Sequence, residues 1–249
     1  MISYVIPTYN RSAVIRDVVK QMIQIAQKQS ALFEIILIDD GSSDNTEALI
    51  KEMVCNKDCS DGGSRIIGII LDGNYGQQNA TLAGVRKAQY PVIITLDDDL
   101  EYDVNAIPLI VNGLQSGYDV VYVVNKRHAT KVHRKWGTIL KESVFSLFLG
   151  KPPNVQLTSY RGMNRSISEY VARDTTPHVY LSARILQKTK NIGMVETNYH
   201  LDQPVQTNYN NKKLMLLLWR IIWNYALFAN RSGKNNSIDR QYRIKWQSE

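Results

Sequence analysis

The sequence predicts an α/β fold in which an open, mostly parallel sheet is flanked by helices. Three observations predict it. Strand and helix patterns alternate over the first 125 residues, their connections are short, and the strand patterns are continuous apolar, β-branched runs. Such runs are typical of strands buried on both faces of a parallel sheet. With 249 residues, 44% of them apolar, the chain is long enough to bury a core of this kind.

The spacing of apolar residues predicts the elements in order. In the first half, strands are predicted at residues 3–7, 33–38, 65–71, 91–96 and 119–124. The intervening helices are predicted at 12–31, 43–54, 77–88 and 104–115. Ser12 is expected to cap the first helix, because serine favours the N-cap position. The second half is less regular, with helices at 136–149, 166–173, 180–187 and 212–229 and a strand at 192–198.

The remaining segments of the second half are polar. Residues 157–165 form a short polar segment, and residues 231–249 form a basic tail that is expected to be mobile. Trp136, Phe145 and Phe148 of the helix at 136–149 are expected in the core, and a platform for the acceptor is the alternative. The apolar stretch at 214–229, within the helix at 212–229, is too short for the roughly 20 apolar residues of a membrane span, and Arg220 and Asn224 interrupt it. It is expected either to pack on the sheet or a second copy, or to contact a membrane.

The charge balance favours anionic partners. The chain has 30 Lys and Arg against 23 Asp and Glu, a formal charge of +7. Phosphates, acidic membrane surfaces and nucleic acid are attracted by such a surface. Two cysteines, Cys55 and Cys59, exclude a disulfide scaffold and a cysteine-built zinc site. No secretory signal is evident at the N-terminus, so the chain is expected in the cytoplasm.

Acidic residues follow the predicted strands where ligands bind in parallel α/β sheets. These strand ends carry Pro7 to Asn10, Asp39 and Asp40, Asn74, and Asp97 to Asp99. Three adjacent carboxylates repel one another unless a cation offsets their charge. Oxygen ligands suit Mg²⁺ or Mn²⁺, and Asp97 and Asp99 would share one face. A solvated turn or a helix cap is the alternative.

Two further features fit a nucleotide site, each with a simpler alternative. Asp39 is interpreted as the acceptor for an N–H group of a nucleobase, although Asp-Asp-Gly-Ser is also typical of a turn. Arg127 and Arg134 lie in the basic segment 126–135 after the fifth strand. Cations there would hold a diphosphate, and an ordinary solvated loop is the alternative.

Together these residues resemble a known family. The motifs are Val5-Ile6-Pro7-Thr8-Tyr9-Asn10, Ile38-Asp39-Asp40-Gly41-Ser42-Ser43-Asp44, Asn74-Tyr75-Gly76 and Leu96-Asp97-Asp98-Asp99-Leu100. They resemble family 2 glycosyltransferases of the GT-A fold, a Rossmann-like, mostly parallel sheet. Asp97-Asp98-Asp99-Leu100-Glu101, Arg127 and Thr158-Ser159-Tyr160-Arg161 resemble the dolichol/polyprenyl-phosphate sugar transferase branch. Arg11 departs from that branch, where many members have glutamate.

The resemblance implies a role for each residue. The donor site would comprise Pro7, Tyr9, Asp39, Asp40, Asn74, Asp97, Asp98 and Arg127. Mg²⁺ or Mn²⁺ would be held by Asp99, Asp97 and Glu101. The catalytic set would be Asp97, Asp99 and Arg127, with Arg134 and Arg161 contacting the acceptor. The implied domains are 1–210, divided into a nucleotide-sugar half (1–125) and an acceptor half (126–210), then an amphipathic helix (211–230) and the tail.

The implied reaction is inverting, metal-dependent transfer from a nucleotide-diphosphate sugar. The second half has no Glu-Asp pair to act as a general base, and Asp174 and Asp202 are the nearby aspartates. A phosphate acceptor needs no base, so a polyprenyl phosphate is favoured over a hydroxyl acceptor of a surface polysaccharide or glycoconjugate. A noncatalytic nucleotide-sugar-binding protein is the alternative from another class. The aspartate cluster argues against nucleic acid, whereas peripheral contact with the inner face of the cell membrane and homo-oligomer formation stay open.

Overall fold

The protein is built around one eight-stranded sheet. The computed structural model describes residues 1–29, 32–56, 64–98, 104–125, 136–176, 178–197, 211–227 and 241–248. The strands are β1 (Ile2–Thr8), β2 (Phe33–Asp39), β3 (Arg65–Leu71), β4 (Val92–Thr95), β5 (Val120–Asn125), β6 (Arg161–Asn164), β7 (Ile192–Thr197) and β8 (Ile244–Gln247). Their order is β7-β5-β6-β4-β1-β2-β3-β8. β6 is antiparallel to β4 and β5, β8 is antiparallel to β3, and the remaining pairs are parallel.

Helices cover both faces of this sheet. They are α1 (Ile15–Lys28), α2 (Thr46–Cys55), α3 (Gln77–Lys87), α4 (Ile107–Gln115), α5 (Trp136–Leu149), α6 (Arg165–Ala172), α7 (Leu181–Lys188) and α8 (Asn211–Ile221). A 3₁₀ turn, Val104–Ala106, precedes α4, and a π-helical segment, Ile222–Leu227, continues α8. The predicted α/β architecture is therefore confirmed.

Alternation along the buried strands creates two cores. On β1, Tyr4 and Ile6 belong to the core on the α1 and α4 side, whereas Val5 belongs to the core on the α3 side. Gly84 lets α3 lie close to the sheet, because a Cβ there would be 2.4 Å from Cγ1 of Val5 and 2.6 Å from Cδ1 of Ile38. The close packing fixes α3, so its first residue lies beside the carboxyl ends of the strands.

Two local predictions were wrong, and one strand was not predicted. α1 begins at Ile15 without a side-chain cap, and the backbone N–H of Ser12 instead donates to Asp44 Oδ2 at 3.0 Å. Phe145 is buried as expected, but Phe148 is 43% exposed and lies outside the buried cluster that contains Phe145 and Leu149. The polar segment 157–165 contains β6, a strand that carries arginine, glycine and asparagine and so lacks the apolar pattern of a buried strand.

The prediction of a mobile tail was also wrong for the last described residues. β8 pairs with β3 as the last strand of the sheet, and Trp246 lies over Gly68, where an added Cβ would be 2.9 Å from the tryptophan ring. Lys245 forms an ion pair with Glu47 on α2 at 2.8 Å. The C-terminal residues thus extend the sheet by one strand beyond β3.

One arginine forms four hydrogen bonds that add to the contacts of the C-terminal segment with the rest of the fold. Arg86 on α3 donates to the carbonyl oxygens of Ala172 and Asp174, at 2.9 and 2.7 Å. It also donates to Tyr242 Oη at 2.8 Å and to Gln241 Oε1 at 2.7 Å. Because Gln241 and Tyr242 directly precede β8, Arg86 couples the last strand to α3 and α6.

We expect Arg86→Met to lower the free energy of unfolding by about 3 kcal/mol, because buried acceptors would lose charged donors. Urea unfolding followed by circular dichroism measures this. Arg16→Met is the matched control: Arg16 is an exposed arginine paired with Glu52, and its loss should cost less than about 1 kcal/mol. Equal midpoints for the two variants would contradict the role of Arg86.

Candidate active site

A cleft lies at the carboxyl ends of the central strands, as the motifs predict. Its volume is about 370 Å³. The residues that line it are Pro7, Thr8, Tyr9, Arg11, Asp40, Asn74, Gly76, Gln77, Asp97 and Asp98. They come from the ends of β1, β2 and β4, from the loop after β3 and from the first residue of α3. Side chains distant in sequence therefore share one cavity because parallel strands end at one edge.

The predicted site residues fall into three groups. Six of them line the cleft: Pro7, Tyr9, Asp40, Asn74, Asp97 and Asp98. Asp39 and Arg161 are buried close to it, through contacts described below. Asp99, Glu101, Arg127 and Arg134 lie outside the described residues. The structure therefore brings six of the predicted residues together in one cleft, and the roles of all twelve stay predictions from the sequence.

Asp39 is a fully buried carboxylate with one oxygen left over. Its Oδ1 accepts hydrogen bonds from the Ser42 backbone N–H, at 3.1 Å, and from the Ser42 hydroxyl. Its Oδ2 is buried and has no hydrogen-bond partner among the described residues. Burial raises the pKa of the Asp39 carboxyl, against the Ser42 bonds that lower it. A buried acceptor without a hydrogen bond lowers the stability of the fold, so a ligand that donates a hydrogen bond to this oxygen would be bound favourably.

Asp40 shapes the loop that carries Asn74. Its two oxygens accept the backbone N–H groups of Tyr75 at 2.7 Å and Gly76 at 2.8 Å. Gly76 has φ 86°, a left-handed conformation that glycine adopts without strain. Burial raises the pKa of Asp40 as well. Because both oxygens already accept main-chain bonds, Asp40 fixes the loop wall of the cleft.

Two aspartates line the opposite wall. Oδ2 of Asp97 accepts the Ser159 hydroxyl at 2.5 Å, and Oδ1 accepts the side-chain amide of Gln77. Oδ1 of Asp98 pairs with Nε of Arg11 at 3.2 Å. Oδ2 of Asp98 is buried and makes no hydrogen bond within the described part of the chain. On this wall, hydrogen bonds and an ion pair therefore fix both carboxylates, and one oxygen of Asp98 has no hydrogen-bond partner among the described residues.

Three of these contacts involve residues that the motifs did not assign to the donor site. Ser159 belongs to the Thr-Ser-Tyr-Arg motif, so the sequence signal was present but was assigned to the acceptor. Gln77 is the first residue of α3, and no pattern in the sequence marks it. Arg11 was visible as a departure from the family pattern, and the structure gives it a partner in Asp98.

Arg161 is 2% exposed, which is unusual for a cation. Its Nε donates to Thr95 Oγ1 at 3.3 Å and its Nη1 to Ser182 Oγ at 2.8 Å. Its guanidinium lies 5.7 Å from the centre of the Tyr122 ring. No carboxylate in the described ranges forms an ion pair with it. A desolvated cation with neutral partners attracts an anion.

The carboxylates of the cleft fit a divalent cation. Asp97 and the orphaned Oδ2 of Asp98 supply the oxygen ligands that Mg²⁺ and Mn²⁺ prefer. No group of three metal-ligating side chains occurs within the described ranges. Asp99 and Glu101, the other predicted ligands, lie outside those ranges, directly after Asp98 in sequence.

Comparisons with known proteins agree with this geometry. The profile described as Glycosyl transferase family 2 matches residues 3–173. The undecaprenyl-phosphate 4-deoxy-4-formamido-L-arabinose transferase of Pseudomonas fluorescens (strain SBW25) is 32% identical over 165 residues, 66% of this chain and 46% of that protein. The protein of the same name from Shewanella sediminis (strain HAW-EB3) is 32% identical over 172 residues, 69% of this chain and 49% of that protein. The chain therefore spans about half the length of the curated relatives it matches.

Solved structures share the fold at low identity. Glucosyl-3-phosphoglycerate synthase from Mycobacterium tuberculosis, in complex with Mn²⁺, UDP and phosphoglyceric acid, aligns with a TM-score of 0.59 at 16% identity. The alignment covers 95% of this chain and 80% of that one. A mannosyltransferase from Pyrobaculum calidifontis in complex with GDP-Man and Mn²⁺ has a TM-score of 0.57 at 12% identity, covering 94% and 65%. The predicted GT-A-type fold is thereby confirmed.

Proposed function

Because the chain belongs to glycosyl transferase family 2, we propose that it moves a sugar from a nucleotide-diphosphate donor to a polyprenyl phosphate. The relatives named for transfer to undecaprenyl phosphate support this class of acceptor. The observation that carries the proposal is the cleft with two buried carboxylates, Asp98 in its lining and Asp39 close to it, each of which keeps an oxygen without a partner among the described residues. One oxygen suits a nucleobase N–H group, and the other lies in the wall where a donor diphosphate would be neutralised.

The nucleoside would lie against the first wall of the cleft. Pro7 and Tyr9 line it, Asp40 holds the loop with Asn74, and Oδ2 of Asp39 would accept a base N–H group. A buried acceptor discriminates strongly, because a base without a donor there leaves the carboxylate unsatisfied. The nucleotide should therefore carry a ring or exocyclic N–H group on the edge that faces Asp39.

Asp97, together with Asp99 and Glu101, would hold Mg²⁺ or Mn²⁺. A bound divalent cation would neutralise charge that develops on the leaving diphosphate. Arg127, which follows β5 in sequence, would contribute a second positive charge to the same group. Ser159 and Gln77 orient Asp97, so the carboxylate is fixed before the donor binds. These assignments for Asp99, Glu101 and Arg127 rest on the motifs.

The structure removes one candidate for a general base. Asp174 is 1% exposed and accepts hydrogen bonds from the Tyr225 hydroxyl and from the Thr176 backbone N–H, both at 2.8 Å. Its contacts join the loop after α6 to the π-helical segment, which is a structural role. Asp202, the other aspartate considered for this role, lies outside the described residues. A phosphate acceptor is already an anion and needs no base, so the proposal of a polyprenyl phosphate does not depend on either aspartate.

Arg161 and Arg134 would contact the acceptor phosphate, and the environment of Arg161 supports its part. Thr95, which accepts from Arg161, also donates to the carbonyl oxygen of Ser159 at 2.7 Å. Ser159 in turn donates to Asp97. The buried cation is therefore linked through two hydroxyl side chains to the donor wall. We assign residues 1–125 to the donor half and 126–210 to the acceptor half on this basis.

We test the proposal by incubating the protein with nucleotide sugars, Mn²⁺ and undecaprenyl phosphate in detergent, and measuring labelled glycolipid. Arg161→Lys is expected to raise the KM for the lipid phosphate about tenfold or more. Lysine cannot donate to Thr95, to Ser182 and to a phosphate with the planar geometry of a guanidinium. The KM for the donor should change little. Arg165→Met, at an exposed arginine paired with Glu169, is the matched control and should leave both constants unchanged.

Three results would contradict the proposal. Transfer to undecaprenol or a glycan, but not to the phosphate, would favour a hydroxyl acceptor. Nucleotide-sugar binding without turnover on any acceptor would favour a noncatalytic binding protein. An unchanged KM for the lipid phosphate in Arg161→Lys would remove that residue from the acceptor site.

A further inference from the structure

The last described helix is apolar on two sides. α8 and the π-helical segment bury Leu218, Ile221 and Tyr225. Another side exposes Met215 by 60%, Leu216 by 46%, Trp219 by 57% and Trp223 by 45%. We call these four residues the aromatic face. A surface helix normally exposes polar residues to water. A helix that is apolar on two sides is therefore expected to contact a second apolar surface with its exposed side.

The aromatic face is ordered by its own packing. The Trp219 and Trp223 rings stack, with centroids 5.3 Å apart and planes inclined by 23°. Beneath it, Ile221 and Tyr225 pack against Phe145 and Leu149 of α5. α5 itself exposes Leu147 by 78% and Phe148 by 43%. Two helices of one layer, α5 and α8, therefore both expose large apolar side chains. Single exposed apolar residues are ordinary on a protein surface, but a group of them is typical of an interaction site.

The charges around this helix select its partner. Between residues 203 and 238 the sequence has no aspartate or glutamate, and it has Lys212, Lys213, Arg220, Arg231 and Lys234. Cationic segments are attracted to anionic lipid headgroups near the membrane surface. A second copy of the chain would instead bring like charges together. Tryptophan is enriched where apolar chains meet headgroups.

We propose that the aromatic face docks the protein on an anionic lipid bilayer, with α8 lying in the interface plane. No helix within the described ranges is both long and apolar enough to cross a bilayer, so the contact would be peripheral. The inference deepens the proposed function, because a polyprenyl chain resides in a bilayer and the enzyme must meet its phosphate at the surface. Docking itself requires no catalysis, so it can be measured separately.

Flotation with vesicles tests the docking surface. Wild-type protein should float with vesicles of phosphatidylglycerol and phosphatidylcholine, and less with phosphatidylcholine alone or at high salt. The double variant Trp219→Ser, Trp223→Ser should bind at least tenfold more weakly. Leu109→Ser, which removes an apolar side chain that is 49% exposed on α4, is the matched control and should bind like wild type. Tryptophan emission of the wild type should shift to shorter wavelength with the anionic vesicles.

Several outcomes would overturn the proposal. Equal flotation of wild type and double variant would do so, as would absence of flotation. Self-association of the wild type that disappears in the double variant would assign the face to a second copy. The double variant should keep its turnover on a short-chain, water-soluble polyprenyl phosphate. Flotation without transfer to any lipid phosphate would leave the docking surface standing and remove the proposed function.

Discussion

Replacing Asp97 with asparagine is expected to lower the rate of sugar transfer by about 10²- to 10³-fold, the cost of losing one electrostatic contact in a transition state. Asp97 lies in the cleft and is oriented by Ser159 and Gln77. Asparagine keeps the shape and one acceptor oxygen but removes the charge that would hold a divalent cation. Steady-state rates over a series of Mn²⁺ concentrations measure the effect, and excess metal should restore part of the activity.

Two variants separate loss of charge from general damage. Asp17→Asn removes an exposed carboxylate from the first turn of α1 and should leave the rate unchanged. Ser159→Ala keeps the charge of Asp97 but frees one of its oxygens, so an intermediate loss is expected. Circular dichroism should show the same fold in all three proteins. Full activity of Asp97→Asn at low Mn²⁺ would remove Asp97 from the catalytic set.

The cleft was predictable because a local rule governs it. In a parallel sheet every strand delivers its following residues to one edge, so Tyr9, Asp40 and Asp97 meet although they are far apart in sequence. Each strand could be assigned from its own run of apolar residues. Neither step requires knowledge of how the side chains pack, which is why several residues that line the cleft could be predicted from the sequence.

The contacts that depend on β6 were not predictable in the same way. β6 has four residues, carries Arg161, and lies between β4 and β5 in antiparallel register. Its position is decided by partners on other strands, among them Thr95, and not by its own apolar pattern. The hydrogen bond from Ser159 to Asp97 depends on the position of β6 between β4 and β5. The Thr-Ser-Tyr-Arg motif therefore marked the segment in the sequence but did not predict this hydrogen bond.

The same limit applies at the C-terminus. An apolar helix at 212–229 was visible in the sequence, but which side would remain exposed depends on α5, whose Phe145 and Leu149 cover one face. β8 was missed because it has only four residues, two of them polar, and because its partner, β3, lies far away in sequence. Long-range pairing therefore accounts for most differences between prediction and structure.

Asp39→Asn should weaken nucleotide binding roughly 10- to 100-fold, the equivalent of about 1–3 kcal/mol for a buried donor left without its acceptor. Asparagine keeps an oxygen for the Ser42 bonds but places an amide NH₂ where Oδ2 would accept the base N–H group. Titration calorimetry with UDP, GDP and dTDP measures the loss. Asp119→Asn is the matched control, because this half-buried aspartate precedes β5 at the opposite edge of the sheet.

The dependence of binding on pH gives a second, independent readout of Asp39. Burial raises the pKa of Asp39. As pH is lowered, the carboxylate should therefore become protonated, and nucleotide affinity should begin to fall, at a pH above the ordinary aspartate pKa of about 3.9. The stability of the protein without nucleotide changes in the opposite direction. Because the folded state binds this proton more tightly, the contribution is fully present below the unfolded pKa and is lost as pH rises through the folded one. Asp39→Asn should remove both dependences, and a variant that binds nucleotide like wild type across this range would exclude Asp39 from the base pocket.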